Sequence, residues 1–314
     1  MLKTLLFLGC WVGLSVFTFG QAPKQMVITI DDLPYITHKE DTLQHIYINE
    51  NIVRHLVDHK VPAIGFVNES KLFVNGRLSD PEVKNIDLWA SNGLELGNHT
   101  FSHFDYNRLT TEEFFNEIKK GERITKSILN NYGQHMQYFR HPFLHRGDTE
   151  EKVHALASYL KDNSYTEAPV TIDNADYIFA SAYRKAVKTT DNDMKVKVVE
   201  SYLTYMVEKA RYFESITDKM FDRNIPQILL IHDNLLNADY LPKLLELYKA
   251  EGYEFISLGQ ALEDKAYQSE DSYVENGGIS WLHRWALTQK KPSEFYQEEP
   301  TCPEFVQEYV GISE

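Results

Sequence analysis

The stretch Met26-Val27-Ile28-Thr29-Ile30-Asp31-Asp32-Leu33-Pro34 decides the fold. Its apolar run is short and rich in β-branched residues, which predicts a buried strand rather than a helix. It stops on two carboxylates and a proline. The same grammar recurs along the chain. Ala63–Val67 reads as a strand introduced by Val61-Pro62, and Leu94-Glu95-Leu96 runs into Gly97-Asn98-His99. Gln137-Tyr138-Phe139 ends on Arg140-His141-Pro142-Phe143, and Ala168–Ile172 on Asp173-Asn174-Ala175-Asp176-Tyr177. Gln227–Ile231 ends on His232-Asp233-Asn234, and Glu254–Ser257 is the last strand candidate. Helical stretches lie between: 44–60, 80–92 with Pro81 at the first helical position, and 110–132 opened by a Thr110/Glu113 capping box. Others begin at Asp148, span about 195–221, and run through Leu244 and Tyr248 to Gly252. Alternating strands and helices predict an α/β fold with a parallel sheet, and 314 residues suit a single barrel-sized domain.

Composition narrows the function. A hydrophobic fraction of 43% and a charged fraction of 25% are ordinary for a globular protein. The net charge of -14 argues against nucleic acid and anionic membrane surfaces as partners. Residues 1–20 read as an export signal: Lys3, then apolar Leu5–Phe19, then Thr18-Phe19-Gly20 as the cleavage region. That run is shorter than the roughly 20 residues a membrane span needs. No span is therefore expected after cleavage, and the protein is expected to be periplasmic or secreted. Cys10 lies too early in the apolar run, after the poorly matching Phe7-Leu8-Gly9, to favour a lipoprotein. Once it is removed only Cys302 remains, so no intrachain disulfide is expected. Trp281 and Trp285, one helical turn apart in the last fifty residues, are expected to pack rather than bind sugar. Oligomeric state is not legible.

Asp31, Asp32, His99, Arg140, Asp173 and His232 each follow an apolar run directly. In a parallel α/β fold such positions gather at the carboxyl-terminal mouth of the strands, where these folds place their chemistry. His103 follows His99 by four residues, and that spacing puts two imidazoles on one face if the turn is helical. The pairs His55/His59 and His141/His145 show that spacing alone decides little, and His55/His59 reads as a solvated helix face. Two imidazoles and one carboxylate form the open ligand set of a hydrolytic zinc, which lowers the pKa of bound water from 15.7 towards about 7. Strand alternation sends adjacent aspartates to opposite sides, so one could ligate while the other serves as general base. His232, arriving on another strand, is placed to act as general acid. The same set could hold iron for oxygen chemistry, but Asp31 and His232 would then lack clear roles.

These residues resemble the polysaccharide deacetylases of carbohydrate esterase family 4, with the NodB homology domain. The likeness rests on Thr29-Ile30-Asp31-Asp32, His99-Thr100-Phe101-Ser102-His103, Arg140-His141-Pro142-Phe143 and Leu230-Ile231-His232, in the family's order, over roughly 26–262. It implies a distorted (β/α) barrel of the NodB type over 25–265, with residues 266–314 as a C-terminal extension packing on it. It implies Asp32, His99 and His103 as ligands of a divalent ion, Zn2+ first and Co2+ or another ion second. Asp31 is then the base, His232 the acid, and Arg140 the residue orienting the base. Leu230 is implied in the acetyl-methyl pocket and the Phe143 backbone amide as oxyanion donor. Asp173 is favoured over Asp176 as the carboxylate supporting Arg140 or His232, being nearer the strand end. Ile30 replaces the family's Phe, which the strand tolerates. Tyr177 stands where the family has Trp, so the groove wall differs and polymer specificity does not carry over.

The function expected is removal of N-acetyl groups from an acetylated carbohydrate such as peptidoglycan or a chitin-like oligomer, by attack of metal-bound water. Rival readings are an O-acetyl esterase on acetylated polysaccharide, a small-molecule amidase, and a sugar-binding barrel without turnover. The last has no need for Asp31 and His232, and fold likeness alone does not fix function.

Overall fold

The computed structural model describes residues 24–36 and 42–314, so the expected export signal over 1–20 and Cys10 lie outside the described residues. The strands are β1 (Lys24–Leu33), β2 (Ile64–Val67), a hairpin of β3 (Phe73–Val74) and β4 (Arg77–Leu78), β5 (Glu95–Asn98), β6 (Tyr138–Phe139), β7 (Thr166–Glu167), β8 (Gln227–His232) and β9 (Tyr253–Phe255). The helices are α1 (Thr42–Asp58), α2 (Asp80–Ser91), α3 (Thr111–Lys120), α4 (Arg123–Asn131), α5 (Glu150–Asp162), α6 (Asp176–Thr189), α7 (Asn192–Phe221), α8 (Leu235–Ala250), α9 (Leu258–Leu262), α10 (Trp281–Thr288) and α11 (Glu304–Val310). None of these helices is long and apolar enough to cross a membrane.

The main sheet has the order β7-β6-β5-β2-β1-β8, with β9 pairing the start of β1, and every pairing in it is parallel. β1 lies between β2 and β8 and is buried from Met26 onward, as a strand covered on both faces should be. The chain after β7 bridges the two edges of the sheet. Thr166 and Glu167 pair with β6, then Thr171 and Ile172 donate to the Ile228 carbonyl of β8. The expected distorted barrel is thus a parallel half-barrel stitched by an irregular segment. For the same reason the strand expected over 168–172 shrinks to an isolated bridge at Ile172. Pro169 lacks the N–H a ladder would need.

The helix expected over 110–132 is two helices. α3 carries the predicted capping box, Thr110 to Glu113 and back, and ends at Gly121. A Cβ on Gly121 would lie 2.5 Å from the Thr100 carbonyl carbon, so the break lets the histidine loop pack against backbone. Gly121→Ala is expected to destabilise the protein by roughly 1–3 kcal/mol, the usual cost of overpacking. Urea unfolding, read as a lower midpoint at unchanged slope, measures it. Trp281 and Trp285 are buried, as expected for packing residues. His55 departs from expectation: it is half-buried, and its Nε2 lies 3.1 Å from the Ala238 carbonyl oxygen.

Candidate active site

Sheet register assembles the site. Asp31 on β1 is the direct partner of His232 on β8. The ladder continues beyond β5 and β6: the His99 N–H donates to the Val67 carbonyl, and the Arg140 N–H to Asn98. A cavity of about 600 Å³ opens there, lined by Asp31, Asp32, His99, His103 and His232 among others. Phe143, Asp173, Tyr177 and Leu230 line it as well, while Arg140 is fully buried behind Asp31.

The two aspartates do not alternate. Pairing slips between Ile30 and Leu33, and Asp32 takes φ 73°, so the strand bulges where a carboxylate must be re-aimed. Both side chains therefore reach one cavity. The His99/His103 pair is likewise not helical. It is held on a loop with Thr100 at φ 67° and His103 at φ 57°. Asn98 Oδ1 accepts from the Thr100 N–H, Glu117 Oε2 from the Ser102 N–H, and Thr100 Oγ1 from the His103 N–H. The imidazole centroids stand 4.8 Å apart.

Asp32, His99 and His103 present ligand atoms that all lie within 4.8 Å of one another, the one such cluster among the described residues. The donor chemistry suits a divalent cation. Burial pulls both imidazoles below their ordinary pKa, so each is neutral, the form that ligates. His99 Nδ1 lies 2.8 Å from the Arg140 carbonyl oxygen and donates to it, leaving Nε2 for an ion. Burial would raise Asp32, but the Lys71 ammonium, 2.8 Å from Oδ1, holds it well below the usual carboxylate range.

Asp31 differs from its neighbour. Burial pushes its pKa up to about 6, against the pull of Arg140 and His232. Arg140 Nη1 reaches both carboxylate oxygens at 3.3 and 3.4 Å, Nη2 donates to Thr29 Oγ1, and Nε to the Ala168 carbonyl. Phe66 lies under the guanidinium, its ring centroid 4.6 Å from the central carbon.

The carboxylate that supports His232 is Asp176, which corrects the preference for Asp173. Asp176 Oδ1 stands 2.6 Å from His232 Nδ1, and Oδ2 accepts from the His232 N–H, Asn234 and Asn237. It opens α6 and is fully buried, whereas Asp173 faces the cavity and accepts only from the Asn174 N–H among its hydrogen bonds. Burial would lower His232, but Asp176 outweighs it and pushes the pKa up to about 9. Phe143 sits at φ 56° with its ring 4.5 Å from the His103 ring, and Tyr177 lies 6.4 Å from the His232 ring, centroid to centroid.

Sequence reading missed Lys71, whose pairing with Asp32 has no local signature. It also missed Lys209, Glu299 and Glu314, which line the same cavity. Lys209 carried a signal: it falls on the apolar stripe Tyr202, Tyr205, Met206, Phe213 of α7, where a lysine needs a reason.

Residues 20–161 match the polysaccharide deacetylase family. The match takes in Asp31, Asp32, both histidines and Arg140, and stops short of Asp176 and His232. No curated protein matches the chain. The chain is similar to the peptidoglycan deacetylase PdaC of Bacillus subtilis, at 20% identity over 79% of this chain and 94% of that one, TM-score 0.47. It is similar to a family 4 carbohydrate esterase from Streptomyces lividans in complex with acetate, at 15% identity over 77% and 97%, TM-score 0.45. It is also similar to a family 4 pseudoenzyme from Bacillus anthracis, at 15% identity over 77% and 66%, TM-score 0.47.

Proposed function

We propose that this relative of the polysaccharide deacetylases is an exported, metal-dependent hydrolase that removes N-acetyl groups from an acetylated carbohydrate. The observation that carries it is the complete set around one cavity: a neutral-imidazole and carboxylate triad, a buried carboxylate beside it, and a histidine paired to its own carboxylate. Asp32, His99 and His103 would hold the ion, with Zn2+ the first choice for this donor set. When bound, such an ion polarises the acetamide carbonyl and lowers the pKa of water.

The chain's own residues do the rest. Asp31 takes a proton from the attacking water, and Arg140 fixes its orientation from behind. His232 has Nδ1 committed to Asp176, so Nε2 is the atom that gives a proton to the departing amine. The Phe143 backbone amide is assigned to the developing oxyanion, and Leu230 to the acetyl methyl. Asp173 lines the same space without a proton-transfer role. A sugar-binding barrel without turnover does not use the Asp31–Arg140 and His232–Asp176 pairs.

Acetate release from N-acetylglucosamine oligomers tests the reading against acetylated xylan and simple acetamides. Release from xylan alone would make it an O-acetyl esterase, release from acetamides alone an amidase, and none from any substrate would favour the binding barrel.

The His232–Asp176 pair gives a pH prediction. His232 acts as an acid only while protonated, so activity falls as pH rises through its pKa, near 9. Asp176→Asn removes the charge that raises that pKa. The alkaline limb of the kcat profile is expected to move down by one unit or more, towards the ordinary 6.5. A limb that stays in place would remove His232 from the acid role.

A further inference from the structure

The chain beyond α9 does more than cover the barrel. The Trp281 N–H donates to the Val170 carbonyl at 2.8 Å, and Ser280 Oγ donates to Thr171 at 2.7 Å. Arg284 and Arg146 share Asp271 Oδ2 at 2.8 and 2.7 Å, and Arg146 continues to Glu167, the partner of His141 beside Arg140. So anchored, the segment reaches the cavity at two places. Gly278 lies on the Phe143 peptide so closely that a Cβ there would meet the Phe143 carbonyl oxygen at 1.7 Å. Farther on, Glu299 takes the Lys209 ammonium at 2.6 Å, with Glu314 3.9 Å from the same nitrogen. Glu314 is itself tied to the Tyr205 hydroxyl and the Cys302 N–H.

Lys209 is buried, and Lys209, Glu299 and Glu314 share the cavity with the triad and Asp173. A groove for an internal residue of a long glycan must run on past its last contact. Here Glu299 and Glu314 of the bonded segment 299–314 line one side of the cavity, and about 600 Å³ is the volume of a pocket for one compact ligand. The wall's chemistry is specific. Lys209 only donates and the ionised carboxylates only accept, whereas a hydroxyl group does both, so a ring carrying several hydroxyls satisfies the mixed set. An apolar amide would add nothing to the ion pairs these groups already make with one another.

We propose that Lys209, Glu299 and Glu314, with Asp173, form a distal subsite closed by the C-terminal segment. It takes the terminal ring of a short acetylated saccharide and excludes internal positions of long chains. The inference rests on the deacetylase reading and names its substrate class.

The test is acetate release by the full chain loaded with Zn2+, from N-acetylglucosamine oligomers of one to six rings and from a soluble chitin-like polymer. Mass spectrometry then locates the freed amine. Expected are a kcat/KM that stops rising by the second ring, a free amine on a terminal ring, and at least tenfold lower kcat/KM per acetyl group on polymer. Glu299→Gln is expected to raise KM for the dimer by about tenfold, the equivalent of about 1.4 kcal/mol, with zinc content unchanged. An amine at internal positions, or kcat/KM climbing steadily with length, overturns the closed subsite and leaves the deacetylase reading intact. The ring position is read on the unmutated protein, so it holds even if the variant fails to fold. Failure to release acetate from any length overturns both.

Discussion

Asp31→Asn is expected to lower kcat by roughly 10²- to 10⁴-fold, the usual worth of a positioned general base, while the bound metal is retained. The substitution keeps size and shape, so Arg140 still has an oxygen to meet. What disappears is the ability to take a proton. Asp32, His99 and His103 are untouched, and Lys71 still holds Asp32 ionised. Steady-state kinetics alongside elemental analysis separates the two effects. Full activity in the variant would show that the proton goes elsewhere.

His99→Ala should fail in the opposite way, with metal lost before chemistry is reached. His99 is buried and oriented by the Arg140 carbonyl, so no water replaces it in the same geometry. Loss of an outer-shell partner alone costs about 10- to 100-fold in affinity, and loss of a direct ligand should exceed that. Competition with a chromophoric chelator reads the change directly. His103 is more exposed than His99, so His103→Ala should cost less. Equal metal content in His99→Ala and the parent protein would remove His99 from the ligand set.

Much of this was legible in the chain because strand ends announce themselves. A short apolar run stopping on Asp31, His99, Arg140 or His232 gives both element and location, since parallel strands bring those ends to one rim. What misled was local regularity. Alternation on an ideal strand separates Asp31 from Asp32, yet a bulge reunites them. The i, i+4 rule implies a helical turn for His99 and His103, yet two left-handed residues do the work. Proximity to a strand end favoured Asp173, but the deciding fact is where α6 starts beneath His232, a tertiary matter. Lys71, Glu299 and Glu314 lie outside any motif, and only packing brings them in.

The backbone pairing of Asp31 with His232 has one more consequence. Neighbouring strands lie about 4.7–4.9 Å apart wherever they hydrogen-bond, so the peptide ladder sets the gauge between these two side chains. Remodelling the rim loops can change what is admitted without disturbing that gauge. Changing the length of either side chain cannot, because the ladder fixes both backbone positions and the gap between the two functional groups changes by the methylene gained or lost.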